Sequence, residues 1–153
     1  MFFEDRNGDR FGLRIVGYEF PAGQGAENWL NIEIDAAFSS VEWKAIDPAL
    51  ETFEVASLAD WLDALAAGTS TQEALLFIEP NLVFERLAGD GNEVRVRVRV
   101  RDELGPRPDV HPSSRTELSA DFALDADALR RASRSLREQL QCFPPREESE
   151  PED

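Results

Sequence analysis

The chain has 153 residues, 42% of them hydrophobic, with ten Phe and three Trp, enough for one apolar core that needs no staple. Its net charge is −15, from 31 acidic and 16 basic residues, which disfavours DNA, RNA and anionic membranes as partners. The single cysteine, Cys142, excludes an intrachain disulfide and a cysteine-rich metal cluster.

The opening residues, MFFEDRNGDR, show no basic stretch followed by an apolar run. They do not read as a signal peptide, and the apolar runs elsewhere are too short to span a bilayer, so the expected location is the cytoplasm. Residues 2–10 read as a polar lead-in. Phe11, Leu13 and Ile15 alternate with Gly12, Arg14 and Val16, which predicts a first strand over residues 11–20. Pro21, Gly23 and Gly25 break it. A second strand is predicted over residues 29–38, with Leu30, Ile32 and Ile34 on one face and Asn31, Glu33 and Asp35 on the other. Ser39 and Ser40 suggest a turn or bulge, and Val41, Trp43 and Ala45 a third strand that ends in a loop at Asp47 and Pro48.

Ser57 reads as a helix cap, with Leu58, Trp61, Leu62 and Leu65 forming the apolar stripe of a helix that ends at Ala67 before Gly68. Leu75 to Ile78 with Val83 and Phe84, interrupted by Pro80, reads as two short strands or one bulged edge strand. Gly89-Asp90-Gly91-Asn92 is a hairpin turn. Val94, Val96, Val98 and Val100 interleave with Arg95, Arg97, Arg99 and Arg101, a strand with one buried face and one row of guanidinium groups. Residues 102–115 look like a surface loop. Leu118, Ala120, Phe122 and Leu124 form a last strand, and Asp125 caps a helix over residues 126–141. The order predicts an α+β fold: an antiparallel sheet, sandwich-like or strongly curved, packed by two helices. The expected organisation is a single domain over residues 1–143 and a flexible acidic tail over 144–153.

No pattern of catalytic, cofactor or metal chemistry stands out. His111 is the only histidine, too few for the usual multi-histidine metal site. Cys142 follows an amphipathic helix and reads as a small residue against the core, with neither base nor positive field to activate it. Asp47, Glu51 and Glu54 lie close in sequence, as do Glu79 and Glu85, but carboxylates this abundant neighbour one another by chance. No phosphate-cradling glycine loop is present. The Arg row over residues 95–101 could meet phosphates; acids on a neighbouring strand, such as Glu33 and Asp35, account for it without nucleic acid.

Several blocks have a shared order and spacing: Gly17-Tyr18-Glu19-Phe20-Pro21, Asn28-Trp29-Leu30, Asp47-Pro48-Ala49-Leu50-Glu51-Thr52, Leu58-Ala59-Asp60-Trp61-Leu62, and Phe77-Ile78-Glu79-Pro80-Asn81-Leu82 with Phe84. In these the chain resembles the bacterial WapI family of immunity proteins over most of residues 11–143. The resemblance implies a non-enzymatic protein that binds and blocks a secreted toxin domain made by kin, often a tRNA-cleaving nuclease. Read for their packing alone, the same aromatic residues are core, and Glu79 is the odd member: if buried, it needs a partner such as Arg14 or Arg86.

Acidity is concentrated early. Residues 1–90 hold 17 acids and 5 bases, whereas residues 91–153 hold 14 and 11. The expected contacts to a basic toxin domain are therefore exposed acids of the first part: Glu27, Glu42, Asp47, Glu51, Glu54, Asp60 and Asp63, with Glu33 and Asp35 either joining them or pairing with the Arg row. The alternative is a small acidic enzyme or ligand-binding domain, which requires a deep cleft of converging carboxylates.

Overall fold

The computed structural model describes residues 1–107 and 117–148. Among these, eight strands and two helices form an α+β fold with two antiparallel four-stranded sheets. The first sheet runs in chain order through β1 (Phe2–Glu4), β2 (Arg10–Tyr18), β3 (Trp29–Phe38) and β4 (Val41–Glu51). The second does the same through β5 (Ala74–Leu76), β6 (Leu82–Leu87), β7 (Val94–Arg101) and β8 (Glu117–Leu124). Helix α1 (Thr52–Ala67) separates the two sheets in sequence, and α2 (Ala126–Cys142) follows β8.

Alternation decides which face each strand buries. Phe11, Leu13, Ile15, Ile32, Ile34 and Trp43 turn inward from the first sheet; Phe84, Val96, Val98, Val100 and Phe122 do so from the second. The apolar faces meet through aromatic rings: Phe3 lies 5.7 Å from Phe122, Phe38 lies 6.2 Å from it, and Phe11 lies 5.9 Å from Phe84. Offset and edge-on contacts of this kind add to the burial itself. Trp61 of α1 meets Phe84 at 6.4 Å. Helix α1 also packs along α2, where Arg137 bridges Asp60 at 2.7 Å and Asp63 at 2.8 Å.

The structure departs from the sequence reading in several places. Residues 2–4 are a strand rather than lead-in, paired with residues 10–12 of β2. β4 does not end at Asp47 and Pro48 but continues to Glu51, with a shift of register against β3 between Leu30 and Asn31. Pro48 is tolerated because β4 is an edge strand, bonded to a neighbour on one side only. α1 starts at Thr52 rather than Leu58, and Ser57 lies inside it, its hydroxyl donating to the Phe53 carbonyl at 2.9 Å. The region around Pro80 resolves into two short antiparallel strands, β5 and β6. Residues 102–104 form a single 3₁₀ turn whose Leu104 carbonyl accepts from Trp43 Nε1 at 2.8 Å. Cys142 is exposed instead of packed on the core. His111 lies outside the described residues.

Two attachments hold the end of the chain. β2 extends past the short β1, and there Gln139 of α2 bonds its edge: Oε1 accepts from Ile15 N–H at 2.7 Å, and Nε2 donates to the Leu13 carbonyl at 3.4 Å. Beyond α2, where the sequence reads as tail, Pro144 and Arg146 bond to Tyr18, Phe20 and Asn28.

Candidate functional site

The outer faces of both sheets are ladders of opposite charge. In the second, Arg97 meets Asp121 at 2.7 Å, Arg95 meets it at 3.5 Å, and Arg99 reaches Glu85 at 2.8 Å and Glu117 at 3.2 Å. Arg95, Arg97 and Arg99 of the row are thus neutralised within their own sheet, by β6 and β8, and not by Glu33 or Asp35. Those two acids belong to the first sheet, where Glu33 pairs with Arg14 at 2.9 Å and Asp35 with Arg10 at 3.3 Å and Lys44 at 3.7 Å. The hydrogen bond from Arg97 holds the Asp121 carboxyl below the usual aspartate range; Asp121 in turn holds Arg97, and Glu85 with Glu117 holds Arg99, above the usual arginine value.

A different arrangement occupies the corner where β4 leads into α1. Alternation along β4 through Trp43 and Ala45 places Asp47 on the inward side of this edge strand, at the rim of the sandwich. Buried Asn81, just ahead of β6, reaches across and donates to Asp47 Oδ2 at 3.1 Å and to Glu103 Oε2 at 3.2 Å. Glu19 and Glu79 join Asp47 and Glu103 around one open recess, which Phe20 and Trp29 also line. Among the described residues, none of these four carboxylates forms an ion pair with a basic side chain. Partial burial, and then the charges of Glu103 and Glu79, push the Asp47 carboxyl above its ordinary value. Glu51 is pushed up likewise, by burial first and then by Glu54 and Glu148. No three His, Cys, Asp or Glu side chains among the described residues are disposed to hold a metal ion.

The acids singled out from sequence divide among three environments. Asp47 and Glu51 belong to the corner. Glu42, at the other end of β4, pairs with Arg10 at 3.2 Å, while Asp60 and Asp63 are bridged by Arg137. Glu27 and Glu54 are not exposed as expected: both are buried, at 2% and 4%. Glu27 Oε1 accepts from the backbone of Gly23 at 2.7 Å and Gly25 at 3.2 Å, folding the loop between β2 and β3. Glu54 closes a capping box with Glu51, accepting its N–H at 2.9 Å, and accepts a second bond from Ile78 N–H at 2.7 Å. Glu79 is exposed and needs no cationic partner. Glu19, Glu103 and Asn81 are not acids or bridges that the sequence singles out for a site; the Gly17-Tyr18-Glu19-Phe20-Pro21 block contains Glu19 and the Glu79-Pro80-Asn81 block contains Asn81, while nothing points to Glu103.

Fold and charge layout together define a small acidic α+β domain with matched sheet faces and one unmatched carboxylate corner. The model of the immunity protein WapI-like family matches residues 1–144, and the chain belongs to that family. No curated protein and no solved structure matches it. Family membership points to a toxin-neutralising role with a toxin protein as partner. No helix among the described residues is long and apolar enough to cross a membrane.

Proposed function

We propose that this protein binds a basic toxin domain and neutralises it by presenting the acidic corner around Asp47 to the toxin's substrate groove. The observation that carries this reading is a cluster: Glu33, Asp35, Glu85, Glu117 and Asp121 on the sheet faces have cationic partners within the chain, whereas Asp47, Glu79 and Glu103 gather around one recess with none among the described residues. A nuclease toxin, such as one that cleaves tRNA, must hold phosphates, so its groove is basic. Carboxylates set into that groove exclude RNA by charge and by volume, and no catalysis by the inhibitor is required.

Exposed apolar side chains neighbour the acids. Phe20 follows Glu19, Phe53 lies in the first turn of α1, and Ile78 precedes Glu79; they are 39%, 54% and 61% exposed. Such groups supply desolvated anchors, which govern dissociation, while the charges set the association rate and its salt dependence. Glu27 and Glu54 act in this scheme as supports that shape the corner.

The test uses the purified protein and the basic C-terminal domain of a large secreted protein encoded beside it. Binding that weakens steeply with salt, together with rescue of cells expressing the domain, is expected. Absence of both binding at low salt and rescue defeats the proposal.

A further inference from the structure

Three of the blocks that carry the family resemblance lie far apart in sequence, yet Tyr18, Phe20, Asn28 and Thr52 converge, and together they hold Arg146. The guanidinium carbon of Arg146 stands 3.3 Å from the centre of the Tyr18 ring, a stacked cation–π contact. Its Nη1 donates to the Phe20 carbonyl at 3.0 Å. The Asn28 carboxamide engages both backbone groups of the same residue: Oδ1 accepts the Arg146 N–H at 2.8 Å, and Nδ2 donates to the Arg146 carbonyl at 3.0 Å. The two main-chain bonds fix which end of the amide is oxygen, and Thr52 Oγ1 donates to that Oδ1 at 2.9 Å. The Tyr18 hydroxyl donates to the Pro144 carbonyl at 2.6 Å.

These are the contacts by which a protein reads an extended peptide: main-chain bonds for affinity, one side-chain site for specificity. The side-chain site is shaped for a planar guanidinium, which a ring face and a carbonyl suit better than they suit a compact ammonium. The family match ends at residue 144. The receiving residues therefore lie inside the matched region, and the arginine they receive lies beyond it.

We propose that Tyr18, Phe20 and Asn28 form a cradle for an arginine-bearing extended segment of the protein partner, occupied in cis by Pro144–Arg146 until that segment displaces it. That the partner is a toxin rests on the reading above; that the cradle takes such a segment does not. The cis occupant has an advantage, because α2 ends at Cys142 and Phe143 already packs on Tyr18 at 5.7 Å; so short a tether gives an effective concentration in the millimolar range. It also has a handicap. Glu148 follows Arg146 closely and its charge opposes Glu51, so the strap is held against local repulsion that a basic incoming segment does not share.

The experiment needs no toxin. A fluorescent peptide copying residues 143–148 is titrated against the full chain and against its Arg146→Ala variant, with anisotropy as the readout. The variant is expected to bind at least tenfold more tightly than the unmodified chain, and an Arg146→Ala version of the peptide is expected to lose at least tenfold. Equal binding by the two chains, or of the two peptides, overturns the proposal and leaves the strap a structural tether. If circular dichroism shows the variant unfolded, the unmodified chain answers instead: its Arg146 Nε–H resonance, shifted by the Tyr18 ring, moves toward the free value as millimolar peptide is added. No movement overturns the proposal. Because neither measurement involves a toxin, failure here is distinct from failure of the toxin reading.

Discussion

The outer face of the second sheet and the corner at Asp47 are built from the same carboxyl groups but set them against different neighbours. Asp121 lies between Arg95 and Arg97 and is held below its ordinary pKa. Asp47 is partly buried and lies beside Glu103 and Glu79, with only the Asn81 amide to offset these, and is pushed above it, by burial first and then by the two charges. The signs of their contributions to stability are therefore opposite. The contribution of Asp121 is present above the unfolded aspartate pKa of about 4 and is lost as pH falls through the lower folded value. Asp47 and Glu51 weaken the folded state at neutral pH, and the weakening is relieved as pH falls through their raised folded values. The comparison shows that a net charge of −15 need not be spread over a surface. Most carboxylates on the sheet faces are matched by a cation, whereas Asp47, Glu79 and Glu103 gather around one recess without one among the described residues.

The largest effect is expected on association. Reversing Asp47, Glu79 and Glu103 together to Lys should slow binding to the toxin domain proposed as partner by about 10- to 1,000-fold at low salt, with a smaller change in dissociation, as read by stopped-flow across a salt series. Glu42→Lys, on the paired face, is the control, and an equal slowing by it would erase the distinction between the two regions. Next comes Glu54→Ala, expected to cost about 1–3 kcal/mol in urea unfolding because two backbone N–H groups lose their acceptor. Its association rate should stay near that of the unmodified chain, since this acid is buried; a fall comparable to that of the triple reversal would make it a contact residue after all.

Asp121→Asn should lower stability by about 1 kcal/mol at pH 7, and thermal melts should show the loss shrinking as the buffer is taken into the acid range. Asp47→Asn is the smallest and the most diagnostic change. It keeps an acceptor for Asn81 and removes a repelled charge, so stability at pH 7 should rise by a few tenths of a kcal/mol, with the gain fading toward pH 4. A loss of stability in that variant would mean the corner is not electrostatically strained.

Much of the fold was legible because alternation is strong where a strand is buried on one face. The Val and Arg run marked β7, Leu118 to Leu124 marked β8, and Asp125 marked the start of α2, its Oδ1 accepting from Ala128 N–H at 2.7 Å. β1 was not legible, since three residues are too few to show a period. The first turn of α1 was hidden because Glu51 and Glu54 cap it jointly, whereas Ser57 carries the more familiar cap signal. Glu27 and Glu54 were read as exposed because carboxylates usually are; each instead accepts two backbone N–H groups, which single-residue propensity does not reveal. The corner was the least legible feature, because Asp47, Glu79 and Glu103 arrive from three separate segments and meet only through Asn81 and the tertiary fold.

Gln139 has a consequence of another kind. A carboxamide carries the same donor and acceptor as a peptide group, and at Ile15, one step past the Leu13 main chain that Met1 bonds, this one stands where an adjoining strand would present its own. Past its pairing with β1, β2 exposes a short stretch of main chain on which another strand could add. By occupying that position from α2, a single side chain completes the sheet edge where the backbone of β1 gives out and ties the closing helix to the first sheet.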